Sequence, residues 1–291
     1  MFRNQELVAI NISDASLEAI VVRQSGQQSA ISSWSRIELS EGIIEQGRIV
    51  DKDKAKKALQ ELLQKAQPQK IVAKEAAVTL PENLVFTQII TTPVSLKPAE
   101  IKDLLWQKVS EVIPIDPSQM VGDYYLRTTK AGRESLVVAT YSQLIDEYIK
   151  LLASVNLKVR LFSTESISLV QALSSAPEAS PQLILDIGSD QTIAVIASGG
   201  TVRESINIAV AGSQFSQALM QSQKISLAEA EKLKAEVGLT AEPSAVVLQR
   251  TLQSLLVEVR MLMNYWQKKS GERVAKLVVT GGSSSMPGLL P

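Results

Sequence analysis

Apolar runs at residues 7–12 and 17–22, parted by the polar stretch Ser13-Asp14-Ala15-Ser16, predict two strands joined by a tight turn. A third strand is expected near 29–39. Over residues 52–66 the period lengthens, and Ala55, Ala58, Leu59, Leu62 and Leu63 fall on one face of a helix. Its lysines, Lys52, Lys54, Lys56 and Lys57, form a solvated face. Strands follow at 75–80 and 84–91. Residues 98–112 read as a helix with Pro98 in its first turn, where a fixed φ is tolerated. The run Ile113-Pro114-Ile115-Asp116-Pro117 ends it, because proline cannot extend the hydrogen-bond ladder.

A hairpin is expected from 120–128 and 134–140, turning around Lys130-Ala131-Gly132-Arg133, and a helix over 142–154. The small, polar, proline-bearing segment 174–181 reads as a linker between two lobes. Beyond it come strands at 182–187, 192–197 and 202–208. Helices are expected at 213–223, 226–236 and 243–269, then a strand at 276–280 and the turn Gly281-Gly282-Ser283.

Two of these hairpins superimpose at an offset of 175 positions. Ile10-Asn11-Ile12-Ser13-Asp14-Ala15-Ser16-Leu17 lies over Leu185-Asp186-Ile187-Gly188-Ser189-Asp190-Gln191-Thr192, so an internal duplication is indicated. Paired turns of small residues expose backbone amides that suit phosphate. Asp186, at the entrance of the second turn, is placed to hold a water of Mg²⁺. The plainer alternative is two ordinary hairpins with polar turns. Three features weigh against it. Strand 276–280 leads into Gly281-Gly282, a bare turn suited to a purine face. Glu231 and Lys234, three apart on a helix, share one face and suit a ribose or base edge. Gly212 stands between a strand and a helix, where backbone can abut a nucleotide.

Composition narrows the chemistry. With 291 residues and 45% apolar content, two domains can each bury a core. Thirty basic residues balance thirty acidic ones, so no global field draws in nucleic acid, and none is expected as a partner. The chain has neither Cys nor His, which excludes disulfides, thiolate or His-based catalysis and the usual zinc sites. The polar N-terminus is unlike a signal peptide, and no run approaches the ~18 apolar residues that span a bilayer. A cytoplasmic protein is expected, reaching the membrane only through a partner.

The order Asp-Ile-Gly turn, Ala-Glu-x-x-Lys helix and Thr-Gly-Gly turn resembles the actin, sugar-kinase and FtsA superfamily. Within it, Ser226-x-x-Glu229-Ala230-Glu231-x-Leu233-Lys234-x-x-x-Gly238, Val257-Glu258-Val259-Arg260, Asn264-Tyr265-Trp266 and Thr280-Gly281-Gly282-Ser283-Ser284-Ser285-Met286-Pro287-Gly288-Leu289 resemble the PilM family of type IV pilus assembly proteins. The Ile113-Pro114-Ile115 helix end is similar to that family's Ile-Pro-Phe. The resemblance implies an α/β, actin-like (ribonuclease H-like) fold of two lobes. The first lobe would be 1–180, with its core at 1–90 and 151–180 and an FtsA/PilM-type inserted subdomain at 91–150. The second would be 181–291, with its core at 181–212 and 273–291 and a helical subdomain at 213–272.

The same resemblance implies a scaffold of the inner-membrane pilus assembly complex, cytoplasmic and peripheral to that membrane. It would bind ATP with Mg²⁺ and show at most weak ATPase activity. Its expected partners are the N-terminal cytoplasmic peptide of a PilN-like membrane protein and the pilus motor ATPase. Gly188, Ser189 and Thr192 would take phosphate and Asp186 the metal shell, Glu231 and Lys234 the ribose or base, and Gly281, Gly282 and Ser283 the adenine, with Gly212 against the nucleotide. Asn11, Ser13 and Ser16 would form the weaker first clamp. The chain departs from the family at three places: Asn11 stands for Asp, Asp14 puts a carboxylate in the phosphate turn, and Ala211 replaces a Gly. Family members run past the equivalent of Pro291, so a fragment or an abbreviated second lobe is expected. The alternatives are a GspL-like secretion domain, an FtsA-like division protein and, with no well-placed base among its residues, a sugar kinase.

Overall fold

The structure is a computed structural model, described here for residues 7–25, 28–129, 132–174 and 180–290. Most of the expected linker, and Lys130 and Ala131 of the hairpin turn, lie outside the described residues. The chain divides into two compact units, Met1–Glu165 and Ser166–Pro291.

The first unit opens with β1 (Leu7–Ile12), β2 (Ser16–Ser25) and β3 (Gln28–Glu38), a meander of antiparallel strands. A two-residue hairpin, β4 (Ile44–Glu45) and β5 (Arg48–Ile49), leads to α1 (Lys52–Gln64). Asp51 caps that helix, its carboxylate accepting the Lys54 amide at 2.9 Å. Next come β6 (Glu75–Leu80), β7 (Val85–Thr92), α2 (Pro98–Val112), β8 (Met120–Thr129), β9 (Gly132–Tyr141), α3 (Ser142–Ala153) and β10 (Lys158–Thr164). Strands β6 and β10 join β1 in parallel, giving a five-stranded sheet of order β10-β6-β1-β2-β3.

Alternation sends Val8, Ile10, Ile12, Leu17, Ala19 and Val21 to one face of this sheet. There they meet Ala55, Leu59 and Leu62 of α1 and Leu144, Tyr148 and Leu152 of α3, all buried. A separate core holds a smaller sheet of order β7-β9-β8, on which α2 packs through Ile101, Leu105 and Val109 against Ile90, Val137 and Ala139. This sheet takes its first strand from 85–92, upstream of the boundary expected at 91, whereas α3 packs with the five-stranded core.

The second unit contains α4 (Glu165–Leu173), β11 (Gln182–Ile187), β12 (Thr192–Ser198), β13 (Thr201–Ile208), α5 (Gly212–Gln223), α6 (Leu227–Glu236), α7 (Ser244–Ser270) and β14 (Lys276–Thr280). Its sheet runs β13-β12-β11-β14, with β14 parallel to β11. Both faces are covered, which explains why β11 and β12 read as nearly unbroken apolar runs. Val170 of α4 meets Ile184, Ile193 and Val195 on one face. Phe215, Leu219, Leu248, Leu255 and Val259 of α5 and α7 meet Leu183, Leu185 and Ile196 on the other. Helix α6 starts on a capping box: Ser226 Oγ accepts the Glu229 amide, and Glu229 Oε2 accepts the Ser226 amide at 2.8 Å.

The duplication is real in three dimensions. Ile12 pairs with Leu17 across the first hairpin and Ile187 with Thr192 across the second, each equivalent position 175 residues apart. In both units the first strand of the hairpin is flanked on its other side by a parallel strand, β6 or β14.

Candidate functional site

The first turn is closed on itself. The Ser13 hydroxyl donates to the Ser16 carbonyl and accepts the Ser16 amide, both at 3.0 Å, while the Ser13 amide also bonds that carbonyl. The remaining donors run to Glu18, the cross-strand neighbour of Asn11. Asn11 Nδ2 donates to its Oε2 at 3.0 Å and Ser16 Oγ to its Oε1 at 2.6 Å, and Arg36 Nη1 lies 3.7 Å from that second oxygen.

Asp14 is spent elsewhere. Its carboxylate accepts the Gln46 amide at 2.6 Å and the Gly47 amide at 2.8 Å, clasping the β4–β5 turn. The Gly47 carbonyl in turn accepts the buried Tyr148 hydroxyl at 2.9 Å. Burial, and then the nearby Asp14 charge, push that phenol well above its ordinary pKa.

The second turn is built from backbone in close contact. The Gly188 amide donates to the Gln191 carbonyl at 3.1 Å. The first amides of α5 donate back to the turn, Gly212 to the Gly188 carbonyl at 2.9 Å and Ser213 to the Ser189 carbonyl at 2.7 Å. Those two amides therefore hold the turn rather than point at an anion. A Cβ on Gly212 would lie 3.0 Å from both the Gly188 carbonyl oxygen and Ser283 Oγ. Thr192, fully buried, donates its hydroxyl to the Val210 carbonyl at 2.7 Å. Gly281 has φ +89°, and a Cβ there would sit 2.5 Å from the Ile187 oxygen and 2.6 Å from Asp186 Oδ1. Beside it, a Cβ on Gly282 would meet nothing within 4 Å.

Lys234 and Glu231 meet through a residue that sequence reasoning missed. Lys234 Nζ donates to the Gly212 carbonyl at 3.1 Å, to Ser216 Oγ at 2.8 Å and to Glu231 Oε1 at 2.7 Å. Ser216, fully buried, donates to the same Glu231 oxygen. Partial burial raises the Glu231 pKa, but the hydrogen bonds from Lys234 and Ser216 outweigh it and hold the carboxyl below its ordinary value. Ser216 lies one helical turn beyond Gly212, a spacing that was readable; nothing local marked its partner fifteen residues on.

The structure thus gathers Asp186, Gly188, Ser189, Gly212, Gly281 and Ser283 at the ends of β11 and β14, with Glu231 and Lys234 anchored to Gly212. Asn11, Ser13 and Ser16 gather in the first unit, around Glu18. A Cβ on Gly282 would border open space, whereas in the first turn the Glu18 carboxylate accepts the Ser16 hydroxyl. Among the described residues, no three acidic side chains converge as a metal-binding cluster.

Residues 9–291 match the family model described as type IV pilus assembly protein PilM. The chain belongs to this family. A PilM-PilN type IV pilus biogenesis complex shares the fold at a TM-score of 0.82 and 20% identity, over 98% of this chain and 83% of that one. The ethanolamine utilization protein EutJ from Carboxydothermus hydrogenoformans matches at 0.61 and 15%, over 99% and 80%. An MreB of Spiroplasma citri bound to AMPPNP matches at 0.51 and 13%, over 99% and 87%. The fold is actin-like, and this PilM-family chain carries its duplicated hairpin in each unit. Among the described residues no helix is long and apolar enough to cross a membrane.

Proposed function

We propose that this PilM-family chain is an assembly scaffold of the type IV pilus, working on the cytoplasmic face of the inner membrane by capturing the N-terminal peptide of a PilN-like membrane protein. The family match across residues 9–291 carries this reading, and the PilM-PilN complex of the same fold supports the choice of partner. The three-stranded sheet supplies a surface for it. Its face away from α2 presents Ile89, Leu136 and Tyr125, which are in cross-strand register, with Val138 and Val121 beside them. Tyr125 is 61% exposed. Strands β7 and β8 are edges of their sheet, so an extended peptide can add to the ladder with apolar side chains on this face.

Isothermal titration of the full chain with such a peptide should give binding that Tyr125→Ala weakens about tenfold, the loss of one buried aromatic anchor, with the melting temperature unchanged. Absence of binding heat overturns the role.

ATP is the proposed ligand of the second unit. Gly188 and Ser189 would border its phosphates, with Asp186 toward Mg²⁺, and Gly281, Gly282 and Ser283 its adenine; Thr192, buried with its hydroxyl given to the Val210 carbonyl, does not reach them. Glu231 and Lys234 would border the ribose, and Gly212 would lie against the nucleotide. Asn11, Ser13 and Ser16 are the corresponding donors of the first unit. The open space at Gly282 supports this arrangement and tests it. Gly282→Val extends into that space, where a Cβ meets nothing within 4 Å, so it should weaken ATP binding with little change in stability. Gly188→Val, whose Cβ would lie 2.9 Å from the Gln191 oxygen, should weaken it as well. Unchanged binding in both would remove the nucleotide from the proposal and leave the peptide role standing.

A further inference from the structure

The five-stranded sheet has one packed face and one open face. Val8, Ile10, Leu17 and Ala19 point to the packed side, against α1 and α3. On the opposite side a row of paired apolar residues crosses every strand: Leu161 of β10, Ala77 of β6, Ala9 of β1, Ile20 of β2 and Trp34 of β3. Leu161 is 55% exposed and Trp34 53%. Val22 and Ile31, paired with each other on β2 and β3, are exposed too. Parallel strands such as β10, β6 and β1 are ordinarily covered on both faces, because their crossover connections lay helices there. A contiguous apolar row left in water marks a contact surface.

The duplication indicates what fits it. Ile184 and Val195 stand 175 positions after Ala9 and Ile20, and both are fully buried in the cluster that holds Val170 of α4. On the second sheet, then, the equivalent face is covered by one short helix. The first sheet is shaped for the same kind of element. Ala77 and Ala9 make a low floor, with Leu161 on one side and Ile20 and Trp34 on the other. From β10 to β2 is three strand spacings, about 14 Å, which admits a helix of about 10–12 Å diameter. The rim is cationic. Glu18 and Glu75 are each paired with an arginine more exposed than themselves, Arg36 and Arg160, and Lys158 beside Glu75 is exposed as well.

We propose that this face docks an amphipathic α-helix of another protein, with branched apolar side chains along one stripe and acidic residues on its flanks. Such a helix would lie along β1 and β6, its stripe on Ala9 and Ala77 and its carboxylates toward Arg36, Arg160 and Lys158. A second copy of this chain is a poor match. The exposed apolar stripe on its α7, Val257, Met261 and Tyr265, is flanked by Arg250, Arg260 and Lys268 against Glu258 alone, and would set cations on the cationic rim. None of the residues that would touch the helix is assigned to the peptide or the nucleotide, so its docking is independent of both.

The test uses three synthetic peptides of about twelve residues, each held helical by a side-chain staple so that the cost of helix nucleation does not mask binding. One carries a leucine and valine stripe flanked by glutamates, one the same stripe flanked by lysines, and one the composition of the first in scrambled order. The full chain is titrated into each labelled peptide and binding is read by fluorescence anisotropy. The acidic helix should bind at least about tenfold more tightly than either control, and its lead over the basic helix should shrink at about 1 M salt. Leu161→Asp, which charges a wall, and Ala9→Leu, which raises the floor, should each weaken that binding at least about tenfold. Both positions are exposed, so melting temperatures should not change, and if one variant melts lower the other decides. No binding of the acidic helix, equal or tighter binding of either control, or undiminished binding by the variants overturns the proposal. A native chain that self-associates in sedimentation and is dispersed by Leu161→Asp gives the face to a second copy, and overturns it too.

Discussion

Gly281→Ala probes how tightly the end of β14 is pressed against β11. The native residue has φ +89° and ψ 169°, a region of backbone space that is essentially glycine's alone. Placing alanine there costs about 1–3 kcal/mol in backbone strain. The added Cβ would also stand 2.5 Å from the Ile187 carbonyl oxygen and 2.6 Å from Asp186 Oδ1. The first of these is backbone inside a paired strand and cannot swing aside, so overpacking adds about 1–3 kcal/mol. A loss near 4 kcal/mol should lower the melting transition by about 10 °C or more for a unit of this size. The assay is thermal unfolding followed by circular dichroism, with Gly282→Ala as control. That neighbour has open space around its Cβ position and should melt within about a degree of the native chain, as a surface change does. Equal melting temperatures for the two variants would refute the reasoning.

Two further predictions concern polar contacts. Tyr148→Phe strands the Gly47 carbonyl and should cost about 1–3 kcal/mol in urea unfolding at neutral pH. The folded phenol has a raised pKa, so its stabilisation is complete below the unfolded value of about 10 and is lost as pH rises. The difference between native chain and variant should therefore shrink in alkali, and a constant difference would count against burial as the cause. For Glu231 the sign is opposite. Its folded pKa is depressed, so stabilisation is present above the unfolded carboxyl value and lost as pH falls through the folded one. Glu231→Gln should be less stable than the native chain at neutral pH and equal to it in acid, as read by melting temperature across a pH series.

Much of the architecture was legible because local signals agreed. Helix α1 shows its apolar face and the two hairpins their polar turns. Strand β10 and helix α4 were not foreseen. The bulge between Val159 and Leu161 breaks the alternation of an edge strand, and α4, only nine residues long, is too short for its periodicity to stand out. The boundaries of the inserted part shifted for a related reason. Whether β7 pairs with β9 or with the larger sheet, and which core α3 joins, are choices among apolar partners that no single segment displays.

The sequence by itself determined the elements, the duplication at 175 residues and the family, since each rests on residue order and spacing along the chain. Only the tertiary structure decided what the site residues do with their hydrogen-bonding groups. Asp14 looked like a charge against phosphate, and proved to clasp the β4–β5 turn. Glu18 looked like an ordinary strand residue, and proved to fill the turn with its own carboxylate. Ser216 drew no notice, and proved to join Lys234 and Glu231 to Gly212. Hydrogen bonds are satisfied by proximity in space, and a polar side chain carries no mark of which distant backbone group the fold will bring within 3 Å of it.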